Sequence, residues 1–567
     1  MSSEKISKMD IIYANDAEDL LGNKEDLAKI ITKLKRRMDP GEKGKELVDE
    51  TKTFARVKLT TYRHVPVAEL KGYDKKFYEF LKSVLVDGPG LSDYMFSDFQ
   101  INGLKKIKEM ISGDDSHRVV ILQAPTGSGK TNVFLLPSLW DSIERNSHSI
   151  LVYPRIALAI DQLFGLIKNI FYAKNFGYRG LSVGILFGGI GSIDEHTFKY
   201  NNNLFEKKEI KEQVWVIFKD RKCPICNNGF IMGIYYNKKI NDFKCSNKSC
   251  GVENLKIYVS KDRILKEKPN IIITTFESLN SISFRPDFEE ILRKSSAIVF
   301  DEAHIYYQVY GSHLSAFLRE FKKENPKLKF VISSATLPNS VNFAKKLTGE
   351  NNILEIRPSE MDLNKNEETT VPIEEYFLIK SKKGRDRSTS ASTLIQLLML
   401  LGHSVNLNGK ERLLAFFYSR DNLIRQEKNF KDADGNKKLY NFRLNKEEFL
   451  SSEFVEYKCP VGSEKNCNLQ YCKASGPYKE GECWFGLTKA IFQNGMKPKT
   501  SVLKVDRSMA EDSTYEINKT DIVFTTSSLE LGIDDKQIST IVQYRPPYTI
   551  FNFIQRKGRA GIFLLKD

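Results

Sequence analysis

The sequence of 567 residues has no run of 18 apolar residues and no apolar core near its N-terminus. The first absence argues against a membrane-spanning helix, and the second argues against a secretion signal. Cysteine is scarce, and its eight residues fall in two groups of four, a pattern that does not suggest a framework of disulfides. No internal repeat is visible. We therefore expect a soluble, cytoplasmic protein that has no membrane partner.

The chain is long, moderately apolar and basic. Hydrophobic residues make up 41% of the sequence, which is enough for two or three domains with full cores. Its 87 lysines and arginines outnumber its 72 aspartates and glutamates by 15. Residues 1 to 90 hold 18 basic and 16 acidic side chains, so most of the surplus lies in the rest of the chain. This charge suits a polyanion such as nucleic acid, although many basic proteins have no such partner.

The string APTGSGKT, from Ala124 to Thr131, has the composition of a phosphate-binding loop. It follows the β-branched run 119–122 and leads into an apolar stretch, which predicts a strand, a glycine-rich loop and a helix. Lys130 is expected to reach the β and γ phosphates of ATP, and Thr131 to bind Mg²⁺. The other residues expected to cradle the phosphates are Thr126, Gly127, Ser128 and Gly129. An ordinary glycine-rich turn is the alternative, which the flanking elements disfavour.

The string DEAH, from Asp301 to His304, follows a second buried strand, predicted over residues 296–300. This position places both acids at the C-terminal edge of a parallel sheet. Asp301 is expected to bind Mg²⁺, and Glu302 to orient or deprotonate the attacking water. DEAH alone could be a solvated acidic turn, but its pairing with the phosphate loop favours catalysis.

A third string, QRKGRAG from Gln555 to Gly561, completes an order of motifs that resembles the superfamily 2 helicases. Five further strings match motifs of that family in sequence: FSDFQINGL (96–104), YPRIALAIDQ (153–162), SSATLPN (333–339), FFYSR (416–420) and TTSSLELGID (525–534). The resemblance spans residues 91 to 561. It implies an α/β fold of two tandem RecA-like lobes, in which parallel sheets are flanked by helices and ATP hydrolysis drives movement along a strand.

The resemblance also implies roles for single residues. Besides the loop and Asp301, the nucleotide would contact Gln100, Gly532 and Asp534. Among them, Gln100 would read the adenine. The residues that would couple hydrolysis to movement are His304, Ser334 and Thr336. Among them, His304 would hydrogen-bond toward Gln555. The residues that would hold nucleic acid are Arg155, Gln162, Thr275, Arg420 and Thr525. The catalytic residues of the last motif would be Gln555, Arg556 and Arg559.

Residues 305–321 and 334–349 are similar to one branch of the family, the mitomycin-damage repair helicases of bacteria and their fungal relatives. That branch implies ATP-dependent 3′ to 5′ translocation on DNA with a single-stranded region. Tyr306, Tyr307 and Tyr310 follow the DEAH string, and such tyrosines can stack on bases. Packing in the core is the favoured interpretation.

The last motif departs from the family pattern. The family has Gly-Arg-x-Gly-Arg, and Ile562 stands where the second arginine is expected. An arginine finger contributes on the order of 10³ to 10⁵ in rate, so hydrolysis is expected to be impaired. Two origins are predicted: a frameshift or premature stop after Gly561, or a subunit that a second polypeptide completes.

Four cysteines predict a zinc ribbon. Cys223 and Cys226 form C-x2-C, and Cys245 and Cys250 follow after an 18-residue spacer. Residues 229–244 resemble a β-hairpin, so the pattern predicts tetrahedral thiolate ligation of Zn²⁺. A zinc ion would stabilise an insert too small for its own core. An iron–sulfur cluster is disfavoured by the tight paired spacing.

The second group of cysteines has no C-x2-C knuckle. Its members are Cys459, Cys467, Cys472 and Cys483. Metal binding and ordinary thiols both remain open for this group.

The motifs predict three regions. Residues 1–90 form an N-terminal extension that is partly helical, because Asn23 precedes apolar residues at helical spacing (Leu27, Ile30, Ile31 and Leu34), and we expect this helix to pack on the first lobe. Residues 91–357 form the first lobe, with the zinc ribbon at 219–255. Residues 371–567 form an incomplete second lobe with a cysteine-containing insert at 455–485.

Two functions are consistent with these patterns. The first is an ATP-dependent helicase or translocase on DNA that acts in repair or in defence against foreign DNA. The second is a non-catalytic nucleic-acid-binding subunit that lacks the final arginine finger.

Overall fold

The structure, a computed structural model, describes residues 10–15, 31, 35–36, 45–57, 64–125, 128–187, 205–210, 213–236, 239–358, 373–381, 388–405, 412–436, 502–508, 520–529, 537–547 and 550–557. Several predicted site residues lie outside these ranges: Thr126, Gly127, Gly532, Asp534, Arg559, Cys459, Cys467, Cys472 and Cys483.

The strands are numbered in chain order. Residues 10–66 contribute β1 (Asp10–Asn15), β2 (Lys35–Arg36), β3 (Lys45–Glu46), β4 (Val48–Val57) and β5 (His64–Pro66). Residues 95–259 contribute β6 (Met95–Ser97), β7 (Val119–Gln123), β8 (His148–Val152), β9 (Val183–Leu186), β10 (Phe205–Ile210), β11 (Gln213–Lys222), β12 (Phe230–Tyr236), β13 (Lys239–Cys245) and β14 (Ile257–Val259). The others are β15 (Ile271–Thr274), β16 (Ser295–Phe300), β17 (Lys329–Ser334), β18 (Ile353–Ile356), β19 (Ile373–Ser381), β20 (Arg412–Phe416), β21 (Val505–Ser508), β22 (Ile522–Thr525) and β23 (Ile538–Gln543).

The α-helices lie mostly between the strands. Those before residue 300 are α1 (Lys75–Lys82), α2 (Asp98–Ile111), α3 (Lys130–Arg145), α4 (Ile156–Asn175), α5 (Lys261–Glu267), α6 (Phe276–Asn280) and α7 (Pro286–Arg293). The later ones are α8 (Gln308–Glu324), α9 (Ser340–Thr348), α10 (Ser388–Val405), α11 (Arg420–Lys431) and α12 (Ile550–Lys557).

The chain forms two compact units. The first lobe is Thr61–Asp362, and the second lobe combines Met1–Thr60 with Leu363–Asp567. The predicted α/β architecture is confirmed, since each lobe has a sheet of parallel strands flanked by helices.

The first lobe is built on an eight-stranded sheet in the order β14-β9-β15-β8-β16-β17-β7-β18, and every pairing in it is parallel. Its strands are buried on both faces, as all-parallel sheets require. In β7, Val120 and Leu122 face the core that includes α2, α3 and α4, whereas Val119 and Ile121 face the core that includes α7, α8 and α9. This arrangement explains the short apolar runs from which the strands were predicted.

The second lobe has a seven-stranded sheet in the order β21-β22-β20-β23-β1-β19-β4. Its first four strands are parallel, while β1, β19 and β4 pair in antiparallel fashion. The motif-bearing strands β20 and β22 therefore lie in the parallel half.

The N-terminal region differs from the prediction. β1 and β4 belong to the sheet of the second lobe, and Ile31 is buried in the core of that lobe. The predicted helix was expected to pack on the first lobe, and this expectation is wrong for Ile31, the member of the helix that the structure describes. The strands were missed because their pairing partner, β19, is more than 300 residues away in sequence.

The four cysteines belong to an insert between β9 and β14 of the first lobe, whose strands form a separate antiparallel sheet, β10-β11-β12-β13. The predicted hairpin over residues 229–244 is confirmed, because β12 pairs with β13 in antiparallel register. The insert also includes β10 and β11, which begin earlier than the predicted boundary at residue 219.

By length and composition, α4 alone among the described helices passes a test for a membrane span, and half of that stretch is buried inside the protein. Leu163, Leu166 and Ile167 of α4 belong to the core of the first lobe. Its apolar composition is therefore accounted for by packing.

Candidate ATP and nucleic-acid site

The predicted phosphate loop connects β7 to α3. Gly129 is the N-cap of α3 and has a φ of +71°, in the left-handed region that favours glycine. A Cβ atom at this position would also lie 2.2 Å from the Nε2 atom of Gln100. Both constraints require glycine at position 129, so the helix begins at Lys130 with its free amides directed at the loop.

Lys130 is buried at the start of α3. Its Nζ donates to the carbonyl oxygens of Ala124 at 2.6 Å and Pro125 at 3.0 Å. Burial lowers the pKa of Lys130, and the nearby carboxylates of Glu302 and Asp301 oppose that shift. The ammonium group is therefore held by the loop at a place where a bound anion would be strongly favoured.

Asp301 and Glu302 follow β16 at the C-terminal edge of the sheet. The backbone N–H of Asp301 donates to the carbonyl of Val152 at 3.1 Å, which ties it to the neighbouring strand β8. Burial and the carboxylate of Glu302 raise the pKa of Asp301 to about 6, and Lys130 acts in the opposite direction. Glu302 has a φ of +48°, a strained conformation for a residue with a side chain.

Three predicted coupling residues contact one another. The Nδ1 atom of His304 lies 3.2 Å from the Ser334 hydroxyl and 3.3 Å from the Glu302 carboxylate. The Ser334 hydroxyl donates to the Thr336 carbonyl at 3.1 Å and accepts from the Thr336 N–H at 3.3 Å. Either His304 or Ser334 can donate in their contact, depending on the tautomer of the His304 ring.

Buried side-chain atoms with no hydrogen-bond partner in the described protein include the Gln123 Oε1 just before the phosphate loop, the Ser128 Oγ within it and the Thr336 Oγ1. Buried polar atoms are ordinarily paired, and unpaired ones point to a missing ligand or water. Hydroxyls beside a buried lysine and two carboxylates fit a triphosphate with Mg²⁺, a hard cation that prefers oxygen ligands. The residues present therefore fit ATP and Mg²⁺.

Gln100 has a contact that the sequence did not predict. Its Oε1 accepts from the Ser97 N–H at 2.8 Å and closes a capping box at the start of α2. Its Nε2 donates to the carbonyl of Ser128 at 3.2 Å. Both polar ends of the side chain thus brace the phosphate loop against α2. The S-x-x-Q spacing of Ser97 and Gln100 was the available signal for the cap.

The predicted nucleic-acid contacts are divided between the two lobes. In the first lobe, Arg155 is the N-cap of α4, Gln162 lies in α4, and the Thr275 hydroxyl caps α6 by accepting from the Ser278 N–H at 3.4 Å. In the second lobe, Arg420 is exposed at the start of α11.

Thr525 has a different setting from Arg420. Its side chain is buried, and its hydroxyl donates to the Ser508 carbonyl at 3.1 Å. The Thr525 and Thr275 hydroxyls are therefore engaged inside their own lobes.

Gln555 and Arg556 lie on α12 in the second lobe, and both are buried. The Arg556 guanidinium lies 5.0 Å from the ring centroid of Phe416, which is the geometry of a cation–π contact.

The aromatic residues after the DEAH string pack in the core of the first lobe, as the favoured interpretation expected. Tyr306 is buried and stacks on Tyr310 with ring centroids 5.4 Å apart. Tyr307 stacks on Phe343 at 4.9 Å. The Tyr310 hydroxyl donates to Glu277 at 2.5 Å, a contact with α6 that the sequence did not predict.

The four cysteines converge at one end of the inserted sheet. Their Sγ atoms all lie within 4.8 Å of one another, and the pairs Cys223–Cys250 and Cys226–Cys245 are each 3.7 Å apart. Tetrahedral zinc with Zn–S bonds of about 2.3 Å requires sulfur atoms about 3.8 Å apart. Although burial raises it, backbone N–H groups of Asn228 and Gly229 lower the pKa of Cys226 to about 6. The donor set therefore fits zinc.

Two families of protein domain match the chain. The DEAD/DEAH box helicase family matches residues 104–197 and 236–343, and the helicase conserved C-terminal domain matches residues 499–563. The chain belongs to the superfamily 2 helicases. The gap between the two segments matched by the first domain holds most of the inserted sheet, and the second domain falls in the second lobe.

This helicase has distant curated relatives. It is 23% identical over 316 residues to the ATP-dependent helicase HRQ1 of Saccharomyces cerevisiae, a match that covers 54% of this chain and 23% of the relative. It is 22% identical over 317 residues to the U5 small nuclear ribonucleoprotein 200 kDa helicase of Caenorhabditis elegans, which covers 53% of this chain and 13% of that protein.

Among solved structures, the DUF1998 helicase MrfA bound to DNA and AMPPNP has a TM-score of 0.48 and 15% identity to the chain. The match covers 92% of the helicase and 52% of the MrfA chain. The chain thus spans about half of MrfA and less than a quarter of the curated relatives it matches.

Proposed function

We propose that this helicase uses ATP hydrolysis to translocate on DNA and to separate its strands. The observation that carries the proposal is the contact of His304 with both Glu302 and Ser334, at the sheet edge where Lys130 and Asp301 also lie. The matched family domains support nucleic-acid helicase activity. The preference for DNA rests on the resemblance of residues 305–321 and 334–349 to the mitomycin-repair branch.

The residues of the first lobe supply the chemistry. Lys130 and the loop amides hold the phosphates, and Glu302 accepts a proton from the attacking water. Asp301 and Thr131 would hold a Mg²⁺ ion, which would neutralise charge that develops on the phosphates. The basic surplus of the chain favours the polyanionic substrate.

ATP hydrolysis by the purified chain, with and without single-stranded DNA or RNA, tests the proposal. Hydrolysis stimulated by DNA more than by RNA is expected, together with a loss of about 10²-fold or more in Lys130→Ala, because the variant loses a cation aimed at the reacting phosphates. Lys323→Ala is the matched control, since its exposed ammonium pairs only with Glu320 on the surface of the same lobe. Equal stimulation by RNA would contradict the DNA preference.

The second candidate is a non-catalytic nucleic-acid-binding subunit. The observation that favours it is Ile562 at the position of the second arginine finger. Nucleic-acid binding without measurable hydrolysis, in a chain whose nucleotide binding depends on Lys130, would establish this candidate in place of the first.

We also propose that Cys223, Cys226, Cys245 and Cys250 bind one Zn²⁺. Cys223→Ser combined with Cys226→Ser removes two of the four ligands, so atomic absorption should show loss of the ion, and the insert should become less stable. Exchange of the exposed Ser246→Cys adds a thiol without removing a ligand and serves as the control. Unchanged metal content in the double variant would contradict the site.

A further inference from the structure

The cysteine-bearing sheet packs directly on α4 of the first lobe. Phe218 of β11 is buried, and its ring centroid lies 5.4 Å from that of Phe164 on α4. The rings of Phe205 and Phe243, from β10 and β13, lie 4.8 Å and 6.0 Å from Phe218. One continuous apolar cluster therefore joins three strands of the insert to α4, the helix whose N-cap is Arg155.

Two polar contacts fix the insert to opposite ends of α4. Arg221, near the end of β11, forms an ion pair with Asp161, one residue before Gln162. Asp161 is half-buried, so its carboxylate depends on this partner more than an exposed carboxylate would. At the other end of the helix, the Lys174 ammonium donates to the Glu253 carbonyl at 3.0 Å.

The cysteine cluster connects these two contacts. Cys223 lies two residues after Arg221, and Cys250 lies three residues before Glu253. The Sγ atoms of these cysteines are 3.7 Å apart. A metal bound to both sulfurs would fix the spacing between the two points at which the insert holds α4.

We propose that the metal-closed insert positions α4 for nucleic-acid binding, with the Arg221–Asp161 pair orienting the part of the helix that carries Arg155 and Gln162. This inference rests on the proposed function, because it takes Arg155 and Gln162 as nucleic-acid contacts. Arg221 and Asp161 are positioning residues in it.

The sign of the charge that is removed distinguishes a positioning role from direct electrostatic attraction to nucleic acid. Removing the positive charge of Arg221 weakens binding to a polyanion through either electrostatics or positioning. Removing the negative charge of Asp161 strengthens binding through electrostatics alone but weakens it through positioning. Asp161→Asn keeps the shape of the side chain and is therefore the decisive variant.

The experiment measures the dissociation constant for labelled single-stranded DNA at several salt concentrations, with zinc content and DNA-independent ATP hydrolysis measured on the same preparations. Arg221→Ala and Asp161→Asn should each weaken binding about 2- to 30-fold, the range for residues that act through a neighbour. Zinc content and basal hydrolysis should be unchanged, since neither residue is among the four cysteines or the proposed contacts to ATP. The double variant should lose no more affinity for DNA than the single variant with the larger loss, because both substitutions remove the same ion pair.

Arg293→Ala is the charge-matched control, since it removes an exposed arginine of the same lobe that pairs with Glu289 and Glu324. Binding by Asp161→Asn that equals or exceeds that of the wild type would overturn the inference. Additive losses in the double variant would do the same. A wild-type chain that binds no nucleic acid would overturn the proposed function, and the inference with it, whereas a wild type that binds while both variants match it would overturn the inference alone.

Discussion

Each lobe contains a histidine next to a carboxylate, and the two pairs differ in their exposure and in the groups that they contact. In the first lobe, His304 lies 3.3 Å from Glu302, with 9% and 11% of their side chains exposed. In the second lobe, the Nε2 of His403 lies 2.7 Å from Asp434, with exposures of 0% and 1%. The other carboxylate oxygen of Asp434 accepts from the Leu503 N–H at 2.8 Å.

The hydrogen-bond networks around the two pairs differ in whether they include a buried polar atom that has no partner in the described protein. The network around His304 leads to Ser334 and Thr336, and the Thr336 hydroxyl has no partner in the described protein. In the second lobe, both carboxylate oxygens of Asp434 are engaged, one with the His403 ring and the other with the Leu503 N–H. A buried polar network with unpaired atoms is ready for a ligand, whereas a satisfied one holds the fold together. We therefore propose that the pair in the first lobe serves function, whereas the pair in the second lobe stabilises the fold.

The most severe test of this comparison is Arg556 of the second lobe, because the structure shows it packed on Phe416 while the family resemblance makes it catalytic. Arg556→Ala should lower nucleic-acid-stimulated ATP hydrolysis by about 10²- to 10³-fold, the usual cost of removing one group that stabilises charge in the transition state. Phe416→Leu is the matched variant, because it removes the ring and keeps the guanidinium. Equal losses in the two variants would assign Arg556 to packing and would leave catalysis to the first lobe.

Asp434 tests the structural side of the comparison. Asp434→Ala removes the acceptor of both the Leu503 N–H and the His403 ring, and each buried donor left unpaired costs about 1–3 kcal/mol. The second lobe should lose about 2–6 kcal/mol of stability, seen as faster hydrogen exchange in residues 388–405 and 412–416. The exposed Glu320→Ala, in the first lobe, should leave exchange there unchanged. Unchanged protection in Asp434→Ala would show that this pair does not hold the fold.

Glu302 tests the functional side. Glu302→Gln keeps the size of the side chain and removes the carboxylate, so hydrolysis should fall by about 10²- to 10³-fold while ATP binding persists through Lys130. Single-turnover hydrolysis and equilibrium nucleotide binding separate the two effects. Glu320→Gln, an exposed glutamate of the same lobe, is the control. Hydrolysis at the wild-type rate would exclude Glu302 as the base.

The smallest expected effect is at Ser334. Ser334→Ala removes the hydroxyl between His304 and Thr336, and a neutral hydrogen bond contributes about 0.5–1.5 kcal/mol, or about 2- to 12-fold. Strand separation per ATP hydrolysed should fall by that factor, with hydrolysis itself less affected. Ser283→Ala, which loses an exposed hydrogen bond to Asn280 in the same lobe, should change neither. A matching loss in hydrolysis would place Ser334 in catalysis and not in coupling.

The residues within each motif were predictable because their chemistry is local. The strand before the loop, the helix start at Lys130 and the strand that ends before Asp301 all follow from apolar runs and a glycine within a few residues. The ligand set at Cys223, Cys226, Cys245 and Cys250 follows in the same way from spacing and a hairpin.

Contacts between remote segments were not predictable. The N-terminal strands β1 and β4 pair with β19, and their sequences carry no sign of which sheet they join. Gln100 was assigned to adenine by its motif, but the structure shows it bound to the Ser128 carbonyl. Thr525 was predicted to hold nucleic acid, and its hydroxyl donates to the Ser508 carbonyl within the second lobe.

The sequence by itself determined the family, the order of the motifs and the chemical groups of the candidate sites. Only the tertiary structure decided that His304 contacts Ser334 and that Arg221 pairs with Asp161. It alone also decided that the N-terminal strands β1 and β4 belong to the sheet of the second lobe. The physical reason is that a motif's chemistry is set by neighbours along the chain, whereas these contacts are set by which distant surfaces bury their apolar area together.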